Sequence, residues 1–406
     1  MKLLILEIDA LAYDYIQHKK MPFLFKLAQN GLFNKMEPDT LHTMGGTQFS
    51  GCYPQKHRII ANYLLNETNT FKNKLHLIDN FLSLFEKMLP GSVKNYYRHM
   101  LRTFRKTTPP HFHPWNSSFH SPASPNIADW NYNIPTCLNI FNQNNINFFF
   151  PLSTTKQKTF RQSLLLKLRK FPFDLIEDVI ASREYDIIWS PTGSELDRLS
   201  HKLGPFNKKV DSLLKKIDRS IEKIVQVADR TWKEYSIIIY SDHGMVPCDQ
   251  YFNATKLLSH TGHKQPSDYI TFLDSDMVRI WTAKKEVEQE LTELFSKQSE
   301  GFLLNDEICL KHHLPRDWRR WGNIIFILHP GYIVSPNYWQ GTIQYRGMHG
   351  YLEPHPNKYA TFIAHGNRFQ KGTGYCFLVD IVPTVLELLK INVPNSFDGT
   401  SLVNHT

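Results

Sequence analysis

Short, mostly apolar runs alternate along the chain with segments in which apolar residues recur every three or four positions. The runs at 3–8, 185–190 and 236–240 have the length of strands, and nearly continuous apolar runs are typical of strands covered on both faces. Residues 210–225 place apolar side chains on one face of a helix and Lys and Arg on the other. Shorter helices are predicted at 22–30 and 380–389. The alternation predicts an α/β fold, with a doubly wound, mostly parallel sheet and helices on both faces.

Two longer stretches interrupt this alternation. Residues 64–135 are rich in Phe, Tyr, His, Asn and Pro, and residues 264–345 mix short strands with a charged helix at 284–298. Long insertions over the strand ends of a doubly wound sheet usually serve ligand binding. The predicted organisation is a catalytic core of residues 1–63, 136–263 and 346–406, an aromatic and basic cap insertion at 64–135, and a second insertion or subdomain at 264–345.

The overall composition is that of a globular protein, with 41% hydrophobic and 21% charged residues and a net charge of +9. The positive charge favours an anionic partner such as a phosphate ester, a nucleic acid or an acidic membrane surface, and a generic basic surface explains it equally well. We predict no specific nucleic-acid partner. The sequence does not indicate an oligomeric state.

One segment bears on membrane contact. Residues 81–89 form an apolar face, and basic residues follow at 94–106. This pattern is more often a cap helix packed on its own domain than an interfacial helix that recruits a lipid-linked substrate. Membrane contact is therefore the alternative that we do not favour.

The cysteines and the N-terminal stretch bear on the compartment. The chain has five cysteines, far apart and none in a C-x-x-C motif, so neither a disulfide framework nor a thiolate zinc site is indicated. The apolar N-terminal stretch carries Glu7 and Asp9, which favours a buried first strand over a signal peptide. No apolar run approaches the ~20 residues that span a bilayer. We expect a cytoplasmic protein.

Carboxylates and an imidazole follow two of the predicted strands. Asp9 ends the first strand, and Asp242 and His243 directly follow the strand at 236–240. Gly244 then permits a sharp turn, in which adjacent side chains can converge on one ion. Asp9 alone would fit an ordinary turn, but the Asp-His pair at a strand end is a stronger indication of a metal site.

Two further motifs supply the same residue types. Asp197 and His201 are four residues apart, so a helical turn projects both from one face. His349 lies in a glycine-flanked loop. A simple helix pair or a surface histidine would explain either motif alone. Together the chain offers three Asp and three His, ligands that Zn²⁺ or Mn²⁺ accepts, and two ions about 4 Å apart would clamp a phosphoryl group for in-line displacement.

The order of these motifs resembles the alkaline-phosphatase superfamily, and within it the type I phosphodiesterase/nucleotide pyrophosphatase family. Residues 47–62, the D-x-x-x-H-x-x-G-P spacing from Asp197, the S-D-H-G-M motif at 241–245 and the G-M-H-G-Y loop at 347–351 match family motifs in order. The chain end at 380–402 also matches. The resemblance implies an alkaline-phosphatase-like fold and a phosphoric-ester hydrolase that uses two divalent ions, Zn²⁺ or alternatively Mn²⁺.

The resemblance also implies a role for individual residues. The implied metal ligands are Asp197, His201 and His349 for one ion, and Asp9, Asp242 and His243 for the other. Asn62 matches the residue that holds a non-bridging phosphate oxygen, with an Asn in an ordinary turn as the alternative.

The position of the family nucleophile departs from the pattern. The nucleophile is a Thr or Ser about ten residues before the glycine that matches Gly51, and ungapped counting falls on Leu41, which has no nucleophilic atom. Thr40 is one position away and Thr43 two. Thr43 precedes a helix-like segment whose free amides would support an attacking alkoxide. We predict Thr43 as the attacking residue and Thr40 as the second choice, with a water activated at the metal site as the alternative.

The substrate and the exact reaction stay open at this point. Residues 274–279 and 329–337 resemble a subgroup of the family associated with polysaccharide biosynthesis, so a nucleotide, a sugar nucleotide or a glycan phosphodiester would fit. A phosphomutase or phosphotransferase on the same fold is one alternative function. A metal-binding pseudoenzyme is the other, because Leu41 replaces the expected nucleophile. The six intact candidate ligands favour an enzyme.

Overall fold

The structure is a computed structural model. It describes residues 2–38, 41, 45–65, 119–120, 134–151, 173–340 and 343–404. Most of the predicted cap insertion lies outside the described residues, including the apolar face at 81–89 and the basic residues at 94–106. Thr40 and Thr43 lie outside them as well.

The strands of the described residues are numbered in chain order. They are β1 (Lys2–Ile8), β2 (Leu32–Glu37), β3 (Leu64–Leu65), β4 (Phe119–His120), β5 (Phe148–Phe149), β6 (Ile187–Thr192), β7 (Tyr235–Tyr240), β8 (Val246–Pro247), β9 (Gln250–Phe252), β10 (Tyr269–Leu273), β11 (Met277–Thr282), β12 (Gly301–Leu303), β13 (Ile324–Leu328), β14 (Tyr332–Val334), β15 (Gly347–Met348), β16 (Ala360–His365) and β17 (Gly372–Phe377).

The α-helices are numbered in the same way. They are α1 (Pro22–Asn30), α2 (Gly46–Ser50), α3 (Pro54–His57), α4 (Cys137–Gln143), α5 (Phe173–Ser182), α6 (Ser194–Leu203), α7 (Lys208–Thr231), α8 (Ala254–Ser259), α9 (Lys285–Ser296), α10 (Asp306–Lys311) and α11 (Ile381–Leu388). The helices predicted at 22–30, 210–225, 284–298 and 380–389 correspond to α1, α7, α9 and α11.

A seven-stranded sheet forms the centre of the fold, in the order β17-β2-β16-β7-β1-β6-β5. Its neighbouring strands are parallel, except where β16 pairs with β2 and β7. The predicted α/β fold with a mostly parallel sheet is confirmed. The antiparallel direction of β16 could not be predicted from the sequence, because a buried apolar run has the same composition in either direction.

The first strand shows why the central apolar runs are nearly continuous. Leu3 and Ile5 belong to a core that includes α4 and α11. Leu4, Leu6 and Ile8 belong to a second core that includes α1, α5 and α7. Because successive side chains of a strand point to opposite faces, both faces of the sheet must be apolar, and helices cover both.

A second, antiparallel sheet lies within the predicted second insertion. Its order is β10-β11-β13-β12, and the apolar face of α9 packs against it through Val287, Leu291 and Phe295. The domain boundaries themselves stay a prediction.

Two properties relate to the compartment. All five cysteines are buried and free. Within the described part of the chain, no helix is both long and apolar enough to cross a membrane. The cytoplasmic location stays a prediction.

The start of α1 depends on a carboxylate from a distant helix. Asp218 on α7 accepts the backbone N–H groups of Phe23 at 3.0 Å and Leu24 at 2.9 Å, and the N-cap residue Met21 makes no side-chain cap of its own. A buried N–H group that loses its acceptor costs about 1–3 kcal/mol. The Asp218 carboxylate therefore joins two helices of the same core.

We expect Asp218→Ala to lower the free energy of unfolding by about 1–3 kcal/mol, because it leaves two amides at the start of α1 without an acceptor. Urea unfolding followed by circular dichroism measures the change. Glu222→Gln, on the same helix, is the matched control and should shift stability by less than about 0.5 kcal/mol. Equal effects of the two variants would contradict this role of Asp218.

Candidate metal centre

Three adjacent strands bring the predicted ligands to one edge of the sheet. Strand β1 pairs in parallel with both β6 and β7, so the carboxyl ends of all three meet. Asp9 directly follows β1, and its N–H donates to the carbonyl of Thr192 at the end of β6 at 2.9 Å. Helix α6, which carries Asp197, begins after β6, and Asp242 follows β7. The position agrees with the general location of ligand sites in doubly wound sheets.

The first group of side chains consists of Asp197, His201 and His349, whose ligand atoms lie within 4.8 Å of one another. Asp197 and His201 project from the same face of α6, with Oδ1 and Nε2 3.0 Å apart. The ring of His349, from the loop after β15, has its centroid 5.1 Å from that of His201. The three residues predicted for one ion are therefore together.

The second group consists of Asp9, Asp197 and His243, again within 4.8 Å of one another. Nε2 of His243 lies 3.4 Å from Oδ1 of Asp9 and 3.5 Å from Oδ2 of Asp242. Asp242, which the resemblance implies as the third ligand, therefore lies beside this group, and Asp197 belongs to both groups. The rings of His243 and His349 stack with their centroids 3.5 Å apart. This contact is a second link between the two groups, because His349 belongs to the first and His243 to the second.

Backbone carbonyls fix which nitrogen of each imidazole can bind a metal. Nδ1 of His201 lies 2.8 Å from the carbonyl oxygen of Gly347, and Nδ1 of His243 lies 2.8 Å from that of Gly244. A carbonyl only accepts, so Nδ1 carries the proton and Nε2 keeps its lone pair, as in most metal-binding histidines. The buried Nε2 of His201 has no hydrogen-bond partner within the described residues.

The electrostatics of the centre favour a bound cation. Burial raises the pKa of Asp9 well above its usual range, and the nearby Asp242, Asp197 and Glu7 carboxylates raise it further. Crowded carboxylates of this kind are stabilised by divalent ions. The lone pairs of the two imidazoles and the shared Asp197 therefore fit two divalent metal ions, and the donor set of carboxylate oxygen and imidazole nitrogen suits Zn²⁺.

A buried hydrogen-bond network that the sequence motifs do not reveal lies beneath the centre. Tyr240 accepts hydrogen bonds from Nε2 of Gln48 at 2.6 Å and Nε1 of Trp189 at 3.1 Å, so its own proton goes to Oε2 of Glu7 at 3.3 Å. Burial and the Asp242 charge raise the pKa of Glu7 to about 8. The sequence contains one sign of Glu7, which is its spacing from Asp9. The two residues are two positions apart, and side chains two apart in a strand lie on the same face.

Asn62 is linked to the first group through other side chains. Its Nδ2 donates to the hydroxyl of Tyr338 at 2.7 Å. The next residue, Trp339, has its ring centroid 4.6 Å from that of His201. A contact between Asn62 and a phosphate oxygen stays a prediction.

Leu41 occupies the position that ungapped counting gives to the nucleophile. Its side chain is buried in the core, its φ is +61°, and its N–H donates to the carbonyl of Gly350 at 2.8 Å. Because Gly350 follows His349, this bond fixes the loop beside the first group. A left-handed conformation is unusual for leucine, so the surroundings must hold it in place.

Helix α2, which follows that loop, contacts the buried side chain of His57. Nδ1 of His57 accepts the N–H of Ile59 at 3.2 Å, so its Nε2–H is free to donate to Oγ1 of Thr47 on α2, 3.0 Å away. Burial lowers the pKa of His57 to about 3. The ring also lies against Gly46, where an added Cβ would come within 2.9 Å of it.

We expect the neutral His57 to make the protein lose stability in acid. In the unfolded chain His57 has its ordinary pKa of 6.5 and takes up a proton below that pH. In the folded protein the pKa of His57 is about 3, so the imidazole stays neutral until that pH is reached. The free energy of unfolding should therefore fall by about 1.4 kcal/mol per pH unit between these values. Between pH 7 and 4.5 the parent should lose about 2–3 kcal/mol more than His57→Gln in urea titrations. The control variant His18→Gln, at an exposed position, should behave as the parent; a parent-like His57→Gln would contradict the assignment.

The sheet with carboxylates and imidazoles at its strand ends defines the class, an α/β protein with a candidate two-metal centre. The family model for type I phosphodiesterase / nucleotide pyrophosphatase matches residues 3–352. The chain belongs to this family.

Relatives of known sequence agree with this membership. The human bis(5'-adenosyl)-triphosphatase ENPP4 is 29% identical over 218 residues, which is 51% of this chain and 45% of the relative. Human ectonucleotide pyrophosphatase/phosphodiesterase family member 5 is 24% identical over 204 residues, 48% of this chain and 40% of the relative. The matched region thus spans less than half the length of these curated relatives.

The same fold occurs in solved structures. Human ENPP5 superposes with a TM-score of 0.69 at 15% identity, with 100% of both chains covered. A murine ENPP5 structure, an inactive threonine-to-alanine variant in complex with AMP, has a TM-score of 0.65 at 14% identity and covers 98% of this chain and 97% of that one.

Proposed function

We propose that this protein hydrolyses a phosphodiester or pyrophosphate bond of a nucleotide, with two divalent metal ions. One observation carries the proposal: two groups of ligand atoms share Asp197, and the imidazoles of His201 and His243 each direct an unprotonated Nε2 towards carboxylates. The class of substrate is supported by a relative named a bis(5'-adenosyl)-triphosphatase and by a neighbour in complex with AMP.

The proposed metal ligands divide by group. Asp197, His201 and His349 would hold one ion, and Asp9, Asp242 and His243 the other. When bound, the ions would supply positive charge that stabilises the oxygens of the reacting phosphoryl group. We propose Zn²⁺ in both positions, with Mn²⁺ as the second choice, because imidazole nitrogen suits zinc better than the harder ions.

The remaining roles belong to other side chains. Thr43 is proposed to supply the attacking hydroxyl, which supports a two-step displacement through a phosphothreonine. The inactive threonine-to-alanine form of the murine neighbour supports a threonine in this role. Asn62 is proposed to orient a non-bridging phosphate oxygen, which would place phosphorus in line with the attacking group.

We expect chelation to abolish hydrolysis and added Zn²⁺ to restore it, because the ligands lie on α6 and after β1, β7 and β15 at the edge of the sheet, where ions can leave without unfolding the core. The assay compares 4-nitrophenyl phosphate, bis(4-nitrophenyl) phosphate, a bis(5'-adenosyl) triphosphate and a sugar nucleotide. The diester and the nucleotides should be cleaved faster than the monoester. Hydrolysis that survives exhaustive chelation would contradict the two-metal proposal, and an isomeric product without hydrolysis would favour a phosphomutase.

A further inference from the structure

The segment at 334–340 presents two neighbouring side chains to two parts of the proposed site. The ring of Trp339 has its centroid 4.6 Å from that of His201, and the hydroxyl of Tyr338 accepts a hydrogen bond from Nδ2 of Asn62 at 2.7 Å. A proposed metal ligand and the residue proposed to orient the phosphate therefore contact adjacent residues of one segment.

This segment is attached to the second sheet at the turn between β10 and β11. The N–H of Tyr338 donates to the carbonyl of Leu273, and the N–H of Val334 donates to the carbonyl of Ser275, both at 2.9 Å. Two backbone hydrogen bonds to consecutive parts of one turn fix the position of the segment relative to the sheet.

A buried asparagine fixes the shape of the segment. Oδ1 of Asn337 accepts the N–H groups of Trp339 at 3.0 Å and Gln340 at 2.8 Å. Its Nδ2 donates to the carbonyl of Val334 at 2.8 Å. The backbone that carries Tyr338 and Trp339 is therefore held from inside the segment as well as by the sheet.

The second sheet also holds the residue that follows Asn62. Nη1 of Arg279, on β11, donates to the carbonyl of Tyr63 at 2.7 Å. The ring of Tyr63 stacks on Phe272 of β10 with centroids 5.5 Å apart, and it meets the ring of Tyr338 edge to face at 5.6 Å. The backbone beside Asn62 and the amide of Asn62 thus have partners that belong to the same sheet and its attached segment.

Arg279 is a buried cation with a buried partner. Its Nε lies 2.6 Å from Oδ2 of Asp274, both side chains are fully buried, and its Cζ lies 4.7 Å from the ring centroid of Phe272. Stability alone does not require an ion pair here, because well-packed apolar residues often replace a buried pair without loss. An apolar side chain could not donate to the carbonyl of Tyr63, and the guanidinium does so.

The bond to Tyr338 defines the orientation of the Asn62 amide. A primary amide carries two N–H donors, and the bond to the Tyr338 hydroxyl uses one of them. The plane of the amide is then set, so the second donor has a fixed direction. Donors that are already oriented stabilise a reacting phosphoryl oxygen without a cost of reorganisation.

We propose that Arg279 and Tyr338 are positioning residues for Asn62, and that the second sheet holds this amide against a non-bridging oxygen of the reacting phosphoryl group. The inference rests on the proposed function, in which Asn62 contacts that oxygen. It gives a role to the second insertion, which supplies none of the proposed metal ligands before residue 346. Both residues act through Asn62.

The test is a double-mutant cycle in the full, zinc-supplied chain with bis(4-nitrophenyl) phosphate. Tyr338→Phe removes the acceptor and keeps the ring, so kcat should fall about tenfold while KM changes less than about twofold. In an Asn62→Ala background the same change should lower kcat less than about twofold, because the group that it orients is absent. Tyr269→Phe removes a hydroxyl at the opposite end of β10 and should leave kcat unchanged in both backgrounds.

Arg279→Lys tests the second contact in the same cycle. Lysine keeps a positive charge beside Asp274 but lacks the fork that reaches two acceptors. We expect kcat to fall about threefold or more in the parent and less than about twofold in the Asn62→Ala background, with circular dichroism confirming the fold. Equal losses in the two backgrounds, for Tyr338→Phe or for Arg279→Lys, would overturn the positioning role of that residue.

A binding measurement separates this inference from the proposed hydrolysis. Calorimetry of the zinc-supplied chain with orthovanadate should show binding about tenfold weaker in Tyr338→Phe and in Asn62→Ala, and no weaker in the double variant than in Asn62→Ala. If the parent cleaves no ester but shows this pattern, the proposed hydrolysis fails and the positioning role stands. Additive losses of affinity would overturn the positioning role, and a parent that neither cleaves the ester nor binds vanadate would overturn both.

Discussion

Replacing Asp197 with Asn is expected to lower kcat/KM for phosphodiester hydrolysis by at least about a thousandfold, which corresponds to about 4 kcal/mol of transition-state stabilisation. Asp197 is the residue common to both groups of ligand atoms. Its replacement removes a negative charge from each group at once, so both ions should bind more weakly.

Asp242→Ala should abolish hydrolysis as well while the fold is retained, because this carboxylate lies at the sheet edge and not in the core.

The matched control for Asp197→Asn lies on the same helix, α6. Glu195 is exposed two residues before Asp197, and Glu195→Gln removes the same charge without touching either group. Elemental analysis should find less than two equivalents of zinc in Asp197→Asn and two in Glu195→Gln. A variant of Asp197 that keeps two zinc ions and activity within tenfold of the parent would refute its place in the centre.

The sequence predicted those parts of the fold that are set by local patterns. Strand β1 could be predicted because two cores cover its faces, which makes its residues continuously apolar. Helix α7 could be predicted because one face packs in a core and the other carries Lys and Arg. Strand β16 could not be placed, since its partners β2 and β7 are distant in the chain and pairing direction depends on both.

The candidate centre was predictable to the extent that spacing determines geometry. Asp197 and His201 are four apart on a helix, so their convergence follows from sequence alone. That Asp197 belongs to both groups of ligand atoms does not follow from the sequence, because it depends on how α6 packs beside the ends of β1 and β7. The hydrogen bonds that join Tyr240 to Glu7 and Gln48 likewise come from three segments that only the fold brings together.

The identity of the attacking group depends on the loop that precedes α2. Leu41, at the ungapped position, turns its side chain into the core and donates its N–H to Gly350. It therefore serves to attach the loop next to His349, and a leucine there is compatible with an enzyme. Thr40 precedes Leu41 directly and Thr43 is two residues after it, so both stay candidates for the attacking residue.

We expect Thr43→Ala to lower kcat by at least about a thousandfold and Thr40→Ala by less than about tenfold, because only the residue that attacks phosphorus contributes several kcal/mol to the barrier. Thr43→Ser keeps a hydroxyl and should retain measurable turnover. Acid quenching of the parent during turnover should trap a phosphothreonine, located by mass spectrometry at Thr43. If a water activated at the metal site attacks instead, neither alanine variant should lose more than the ~10–100-fold typical of positioning residues, and no phosphothreonine should form. A silent Thr43→Ala beside an inactive Thr40→Ala would show that the family register is shifted by one residue in this chain.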